Sequence, residues 1–367
     1  MSVSVRKCRP LITGGAAAAA LALVVAPVAH GDEAEALPRI GGDNRYETAV
    51  AVSQSDFEAP GSADAVVLAR ADEYADALSG GALAAAVDAP LLLTQTDRLP
   101  AATQAEIERV LSDGGTVHIL GGASAVSTEL ADEIEALGYN VNRLAGEDRY
   151  ETAIAIAEEI GSEGPLLLST GTNFPDALTS GAAAGSTGGV VLLTRGDALP
   201  SVVVEYLEDF EGEVYAVGGP AVTAASALDD VVGVEGNDRY ETAVAVAEEF
   251  FHTEDGFEEG YDGFALASGQ TFPDALTGGA SSGRNNDPVL LAQQNNLPNA
   301  TDEYLTETAV DLELDGHVLG GPRAISDAVA QAAFAALNPP AEDEATDDET
   351  GDEETGDEDD GDEGNDN

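Results

Sequence analysis

NRYETAVAV, which spans Asn44 to Val52, recurs twice along the chain, as DRYETAIAIA from Asp148 to Ala157 and as DRYETAVAVA from Asp238 to Ala247. A stretch repeated at a spacing of about 100 residues indicates structural units of the same kind. Three such units suit a chain of 367 residues. The sequence therefore predicts three related domains in tandem.

Each copy has the features of a helix start. It opens with Asn or Asp, which are good N-cap residues, and a glutamate follows at the third helical position, where its carboxylate can reach back to the amide of the cap. An arginine fills the first helical turn, where the helix dipole disfavours a cation. This placement suggests a specific role for the three arginines, which are Arg45, Arg149 and Arg239.

Further segments follow in a fixed order within each unit. A short apolar strand precedes a loop and helix of the FPDAL type, a second strand of the LLLT type ends in Leu-Pro, and a third strand ends in Gly-Gly. Short apolar strands that alternate with helices are typical of a parallel sheet covered on both faces. Since the polar signatures follow strands, they belong at the carboxyl edge of the sheet. We therefore expect Arg45, Asp76, Thr94 and Gly121 to lie close together.

The charge of the chain is strongly negative. It has 70 acidic against 14 basic residues, a formal net charge of -56, and Lys7 is its single lysine. Such a surface repels nucleic acid and anionic membranes, so neither is an expected partner. An acidic, nearly lysine-free chain is typical of proteins adapted to high salt.

The two ends differ in composition from the rest. Arg6, Lys7 and Arg9 precede an apolar run from Leu11 to Val25, which predicts a signal peptide at residues 1–31, followed by a leader linker at 32–38. We expect no membrane span after its removal. Residues 339–367 are mostly Asp, Glu, Gly and Thr and are predicted to be a disordered acidic tail.

Several classes of site are disfavoured by the motifs. The glycine pairs lack the spacing of a dinucleotide or phosphate-binding loop, and no serine elbow or metal-spaced cluster occurs, so the sequence predicts no cofactor and no metal. The repeated aspartates, Asp76, Asp176 and Asp274, could be helix caps or general bases.

The arginines are the best candidates for a binding site. Arginine forks suit phosphates and carboxylates, although internal salt bridges to Glu47 or Asp76 are the alternative role. Arg195 lies in another loop of the predicted carboxyl edge. Three equivalent sites would give avidity towards a repeating polymer.

Four motifs in the same order, three times over, give the chain a specific resemblance. They are the RxxGx[DN]RYETA opening at Arg39 to Ala49 and at Arg143 to Ala153, the FPDAL segments, the LLLT segments and the Gly-Gly endings. Together they resemble the type 2 cell-wall-binding repeat, over about Arg39 to Leu337. The third repeat begins with Gly233 in place of the arginine, and Ala292 replaces the threonine of its LLLT segment.

The resemblance implies a fold and a function. It implies three Rossmann-like or toprim-like α/β lobes in a pseudo-threefold arrangement, which we place at residues 39–142, 143–232 and 233–338. It also implies non-covalent binding of an anionic cell-wall polymer at the cell surface, with the RYETA arginines and the LLLT loops facing the polymer. Combined with the residue patterns, the expected polymer-binding set is Arg45, Arg149, Arg239, Asp76, Asp176, Asp274, Thr94, Thr194 and Arg195.

Two other functions fit the sequence. A structural surface-layer or adhesion protein would use its lobes to contact other surface proteins. An enzyme acting on a sugar or phosphate would need a catalytic group in one unit that the others lack, and the repeats show none. We therefore expect an exported, non-catalytic envelope protein.

The acidic composition generates a test of the high-salt hypothesis. Counterions screen the self-repulsion of the folded chain, so its melting temperature should rise steeply between millimolar and molar sodium chloride. Circular dichroism melts across that range measure the effect. A melting temperature that stays level would contradict adaptation to high salt.

Overall fold

The computed structural model describes residues 35–161, 164–253, 256–257, 263–309 and 315–339. The predicted signal peptide, the first part of the leader linker and the acidic tail from residue 340 onward lie outside these ranges. Most of the additional loop of the third repeat, after His252, lies outside them as well.

The elements alternate in each repeat as the sequence predicts. The first repeat and the strand after it contain β1 (Arg39–Ile40), α1 (Arg45–Asp56), β2 (Ala63–Arg70), α2 (Gly80–Ala86), β3 (Leu91–Thr94), α3 (Ala101–Val110), β4 (Leu111–Leu120), α4 (Thr128–Ala136) and β5 (Asn140–Leu144). The second contains α5 (Arg149–Ile160), β6 (Leu166–Thr170), α6 (Pro175–Thr187), β7 (Val190–Thr194), α7 (Ser201–Glu208), β8 (Val214–Val217), α8 (Gly219–Ala225) and β9 (Val231–Val234).

The third repeat has the same order with one addition. It contains α9 (Arg239–Phe251), β10 (His252–Thr253), β11 (Gly256–Phe257), β12 (Gly263–Ser268), α10 (Pro273–Asn285), β13 (Val289–Ala292), α11 (Asn299–Ala309), β14 (Asp315–Leu319) and α12 (Asp327–Leu337). The short antiparallel pair β10–β11 lies in the additional loop of this repeat.

The described strands form three parallel sheets of four strands, which confirms the predicted α/β class. Their orders are β3-β2-β4-β5, β7-β6-β8-β9 and β1-β14-β12-β13. The third order shows that β1, at the start of the first repeat, completes the sheet of the third. Val318 N donates to Pro38 O and Gly320 N to Ile40 O, both at 2.8 Å, so the chain closes on itself. We refer to the three sheets with their helices as lobes 1, 2 and 3.

The three RYETA helices begin where the sequence predicts. The side chain of Asn44 accepts hydrogen bonds from the backbone amides of Tyr46 and Glu47, and Asp148 and Asp238 act in the same way. Glu47 accepts from the amide of Asp43, at 3.1 Å, one residue before the cap. This ring of hydrogen bonds fixes the entry of each helix.

Each RYETA helix joins two lobes. Helix α5 follows β5, which belongs to the sheet of lobe 1, and then packs on β7 of lobe 2. In the same way α9 runs from lobe 2 to β13 of lobe 3, and α1 runs from β1, in the sheet of lobe 3, to β3 of lobe 1. The first turn of each helix therefore lies at a junction between lobes.

Three central helices, α2, α6 and α10, pack against one another. Their facing residues are small, and the backbones approach closely: a Cβ at Gly185 would lie only 3.0 Å from the Cα of Gly283 and 2.8 Å from the Cβ of Ala85. At one end of these helices the rings of Tyr74, Phe174 and Phe272 form a triangle with centroids 5.5 to 6.0 Å apart. Equivalent residues thus meet around one axis, in the pseudo-threefold arrangement that the resemblance implies.

The helix after the second Gly-Gly pair begins earlier than the corresponding helices of the other two repeats. Ser127 caps α4 by accepting from the amide of Leu130, and Ser326 occupies the N-cap of α12. Thr223, by contrast, lies inside α8, which already begins at Gly219. The segment after the second Gly-Gly pair is one residue shorter, so the helix starts directly from Gly218, whose φ is 83°.

Close packing of the central helices can be tested with a matched pair of substitutions. A Cβ at Gly283 would lie 2.9 Å from Ala182 O, a backbone atom, whereas a Cβ at Gly181 would meet nothing nearer than 3.7 Å. Gly283→Ala should therefore lower the free energy of unfolding by about 1–3 kcal/mol. Gly181→Ala should leave it unchanged or raise it by up to about 1 kcal/mol, because alanine favours the helix.

Urea unfolding of both variants in the same salt measures the difference. Equal effects of the two substitutions would contradict the packing argument.

Candidate functional site

The three RYETA arginines make the same contact. Arg45 Nη1 donates to Ala71 O and Arg149 Nη1 to Gly171 O, both at 2.5 Å, and Arg239 Nη1 donates to Gly269 O. Each acceptor is the first residue after the first long strand of the same lobe. None of these three arginines forms a salt bridge within the described part of the chain. A guanidinium carries five N–H donors, and each of these arginines uses one of them for the loop carbonyl. Most of the donors of each arginine therefore remain available to a ligand.

Each repeated aspartate lies against the first glycine of a Gly-Gly pair. Those glycines, Gly121, Gly218 and Gly320, have φ values of 89°, 83° and 86°. A Cβ at Gly218 would stand 2.2 Å from Asp176 Oδ2, and the other two pairs are similarly close. Only glycine fits this position, because the backbone is left-handed and the carboxylate occupies the space of a side chain.

The arginines and aspartates meet across lobes. The charge of Arg45 acts on Asp274, and that of Arg239 acts on Asp176. Arg149 lies 5.9 Å from the ring of Tyr74, two residues before Asp76. We name the junctions by the lobes that form them: the 3/1 groove holds Arg45 and Asp274, the 2/3 groove holds Arg239 and Asp176, and the 1/2 groove holds Arg149 and Tyr74.

This arrangement corrects one expectation. Asp76 does lie beside Gly121, as predicted, but the aspartate that faces Arg45 belongs to the third repeat. The reason is that the RYETA helix begins at the edge of one sheet and packs on the next, so its first turn faces two lobes.

Asp176 and Asp274 are partly buried, and burial raises the pKa of both carboxyl groups. Burial raises the pKa of Asp176 from 3.8 to about 6, while the positive charge of Arg239 opposes the rise. Burial also raises the pKa of Asp274, against a hydrogen bond from Thr48 and the charge of Arg45. Part of the negative charge in the 2/3 groove is therefore neutralised near pH 6.

The 3/1 groove contains a cleft of about 330 Å³. Arg45 and Asp274 line it, together with the loop before α1 and the loop after β14. Arg323, in the latter loop, adds a second guanidinium to the same cleft.

Thr94 and Thr194 have another role than the one expected. Both are fully buried. Thr94 Oγ1 lies 3.2 Å from Gln95 O and Arg98 O, and Thr194 Oγ1 lies 2.7 Å from Gly196 O. Their hydroxyls hold the loop that follows the strand and are not on the surface, so they cannot bond a polymer directly.

Arg195 lies on the surface beside the second RYETA segment. Its guanidinium is 4.8 Å from the centre of the Tyr150 ring, and Nη2 is 3.5 Å from Asp148 Oδ2. With 62% of its side chain exposed, it remains accessible to a ligand.

The arginine that opens the RxxG motif supports the Gly-Gly loop. Arg39 donates to Gly320 O at 2.8 Å and to Ile325 O at 3.0 Å, and Arg143 donates to Gly121 O at 2.9 Å. The third repeat has Gly233 at this position, next to the shorter loop of lobe 2. The difference in sequence thus accompanies a difference in the length of the loop that this arginine supports in the other two lobes.

Two negative findings bear on the function. Across the described ranges, no helix is long and apolar enough to cross a membrane. Among the same residues, no group of His, Cys, Asp and Glu side chains is arranged to hold a metal ion.

Comparisons with known proteins agree with the repeat organisation. The family model described as cell wall binding domain 2 matches residues 39–131, 143–227 and 234–330. The chain is 27% identical over 279 residues to N-acetylmuramoyl-L-alanine amidase LytC of Bacillus subtilis (strain 168), covering 75% of the chain and 53% of that protein. It is 28% identical over 279 residues to the amidase enhancer of the same organism, covering 76% of the chain and 38% of that protein.

A solved structure has the same architecture. Cwp8 from Clostridium difficile superposes with a TM-score of 0.71 and 26% sequence identity, over 83% of this chain and 52% of that one. The chain thus spans about half, or less, of the length of these relatives.

The raised pKa of Asp176 predicts how stability depends on pH. Between pH 3.8 and about 6 the folded state holds more protons than the unfolded state, so stability is lost as the pH rises through this range. Asp176→Asn removes the buried charge. It should be more stable than the wild type by about 1–3 kcal/mol at pH 7.5, with a smaller difference at pH 4.

Urea unfolding at both pH values, in one salt concentration, measures the two differences. A gain that is the same at pH 4 and pH 7.5 would contradict the assignment to the carboxylate.

Proposed function

Since this chain belongs to the cell wall binding domain 2 family, we propose that it is an exported, non-catalytic protein that holds an anionic polymer of the cell envelope in the three grooves between its lobes. The observation that carries the proposal is the repeated arginine of the RYETA motif. In every groove it is fixed by one hydrogen bond to a loop carbonyl and has donors left for a ligand.

The geometry of the arginine favours an oxyanion as the ligand. A guanidinium fork matches the two oxygens of a carboxylate or a phosphate, and these charge-assisted hydrogen bonds are stronger than neutral ones. The contact with Ala71, Gly171 or Gly269 fixes the fork in place before binding, so less conformational entropy is lost when the ligand arrives. The same contact offsets the unfavourable position of a cation in the first helical turn.

The partly buried aspartates set the specificity of the grooves. An ionised Asp176 or Asp274 beside the arginine repels part of an anionic ligand, and a protonated one can donate a hydrogen bond to it. We expect the polymer to bind more tightly below about pH 6, where Asp176 is protonated. At higher pH, cations that bridge the ionised aspartates and the anionic ligand would offset the repulsion between them.

Three grooves around one axis suit a polymer better than a small molecule. A chain that occupies one groove raises the effective concentration of its next unit at a second groove, and avidity of this kind can exceed a single affinity by about 10²–10⁴. Weak individual contacts then suffice for stable attachment.

The surface charge suits a saline exterior. With 70 acids against 14 bases, long-range attraction to an anionic polymer is absent. At molar salt the Debye length falls to about 3 Å, so the repulsion is screened while direct hydrogen bonds persist. We propose that the protein is adapted to high salt and binds its polymer by short-range contacts.

The proposal predicts the effect of removing all three forks. Purified envelope should retain the protein from residue 32 onward, and the combined change of Arg45, Arg149 and Arg239 to Ala should weaken retention by at least about tenfold, since each charge-assisted bond contributes about 1.5–3 kcal/mol. A sedimentation assay with purified envelope measures the bound fraction at several protein concentrations.

Two controls separate geometry from charge. The same three positions changed to Lys keep the charge but lose the fork, and should give intermediate retention. Arg98→Ala removes an exposed arginine that belongs to no RYETA segment and should leave retention unchanged. Full retention of the triple alanine variant, in a folded state, would reject the site.

A further inference from the structure

The cleft between α5 and α7 of lobe 2 lies apart from the three grooves. Its volume is about 900 Å³, against about 330 Å³ for the cleft of the 3/1 groove. Arg149 begins α5, whereas Glu158, which lines the cleft, lies about 14 Å further along the helix axis. Among the described residues, no arginine or aspartate assigned to the grooves lines this cleft. It is therefore a separate surface, which the function proposed above does not use.

The apolar part of the cleft is largely aromatic. Ile154 of α5, Val202 and Tyr206 of α7, and Phe210 in the loop after α7 line it, and all four are half-buried. The rings of Tyr206 and Phe210 stack, with centroids 6.2 Å apart and an angle of 27° between the planes. Aromatic faces of this kind bind apolar groups and planar cations.

The rest of the lining is acidic. Four exposed carboxylates line the cleft, those of Glu158, Glu205, Asp209 and Glu211, and none of its described lining residues is basic. Burial and the negative charge of Glu158 raise the pKa of the Tyr206 hydroxyl, so this charge acts on the aromatic part of the cleft. The last turns of α5 and α7 contain no basic residue, although the end of a helix favours a cation. The cleft is thus complementary to a positively charged group.

In lobe 1 the chain's own arginine fills the equivalent place. Counted from the Leu-Pro pair before each helix, Arg109 of α3 corresponds to Asp209. Arg109 donates to the buried carboxylate of Glu106 at 2.8 and 2.6 Å. Gln54, whose counterpart in lobe 2 is Glu158, donates to the same carboxylate at 3.1 Å. Lobe 2 therefore has an acid at both positions where lobe 1 has a donor.

In lobe 3 an imidazole fills the equivalent place. Tyr304 corresponds to Tyr206 and is buried. The ring of His252 stacks on it with centroids 5.6 Å apart, and His252 Nε2 lies 2.8 Å from the hydroxyl of Tyr304. The cleft that remains beside these rings has a volume of only about 260 Å³. Of the three equivalent places, the one in lobe 2 is the open one.

We propose that the cleft between α5 and α7 is a docking site for another polypeptide, and that the side chain it takes is an arginine with apolar neighbours. The guanidinium would stack on the rings of Tyr206 and Phe210 and donate to the carboxylates of Glu158 and Asp209, as Arg109 donates to Glu106 in lobe 1. The apolar neighbours would cover Ile154. A second copy of this chain is a poor occupant, because two molecules with a formal charge of -56 repel each other.

Arginine suits this cleft better than lysine does. A guanidinium is more weakly hydrated than an ammonium, so less hydration is lost when it enters the cleft, and its planar fork can stack on a ring and bind a carboxylate at the same time. Charge pairs that are partly buried are also screened by salt much less than exposed pairs. The contact can therefore persist at the high salt concentration proposed above.

The experiment titrates the protein with three short capped peptides that differ at one type of residue. In the first, arginine and leucine alternate; in the second, citrulline replaces arginine, which keeps the shape and removes the charge; in the third, lysine replaces arginine. Isothermal titration calorimetry in one high-salt buffer measures the affinities. The arginine peptide should bind at least about tenfold more tightly than the citrulline peptide, since hydrogen bonds to charged groups are the stronger ones. The lysine peptide should be intermediate.

Two substitutions with the same change of charge locate the peptide. Asp209→Arg places in lobe 2 the residue that lobe 1 has, and should weaken binding of the arginine peptide at least about tenfold. Glu133→Arg, at an exposed position of α4 in lobe 1, should change it less than about twofold. Glu158→Gln is a milder variant of the cleft and should also weaken binding. Circular dichroism melts establish that each variant is folded.

The outcomes separate this proposal from its alternatives and from polymer binding in the grooves. No binding of the arginine peptide, equal binding of the citrulline peptide, or equal losses for Asp209→Arg and Glu133→Arg would overturn it. Binding of a neutral oligosaccharide such as cellohexaose in place of the peptide, abolished by Asp209→Arg, would assign the cleft to sugar rings instead. Dimers in sedimentation velocity that Asp209→Arg abolishes would assign it to a second copy. Asp209→Arg should leave retention on purified envelope unchanged, so failure of the docking proposal leaves the grooves untouched.

Discussion

Backbone contact between three central helices is the constraint on which the structure depends. Helices α2, α6 and α10 approach so closely that residues such as Gly185 and Gly283 have no room for a side chain. Small residues at the contact bring the three lobes together around one axis, and the rings of Tyr74, Phe174 and Phe272 close one end of that axis. Every groove lies between two lobes, so the spacing of these helices sets the width of all three grooves.

Closure of the ring explains why each groove is shared. Strand β1 completes the sheet of lobe 3, and α1 then crosses to lobe 1, as α5 and α9 cross at the other two junctions. The first turn of a RYETA helix consequently meets the aspartate of a neighbouring lobe. A single repeat contains the parts of two half-grooves and of no complete one, so the binding that we propose for the grooves requires the assembled ring.

Much of the fold could be predicted from the sequence, because its determinants are local. The caps Asn44, Asp148 and Asp238 mark helix starts, and the order of apolar strands and helices implies parallel sheets.

The candidate site could be predicted from the sequence only in part. The arginines and aspartates are visible as repeats, but the exchange of partners between lobes depends on packing across the chain, and the burial of Thr94 depends on a loop that folds back over it.

The role of arginine follows from the charge of the protein as a whole. A chain with a formal charge of -56 cannot attract an anionic polymer from a distance, so its binding must depend on contacts that survive screening. A lysine ammonium acts as a strongly hydrated point charge, and salt weakens that attraction. A guanidinium held by a loop carbonyl presents directed hydrogen bonds, whose geometry salt does not change. The use of arginine in every groove, in a chain whose single lysine is Lys7, therefore suits the short-range recognition at high salt that we propose.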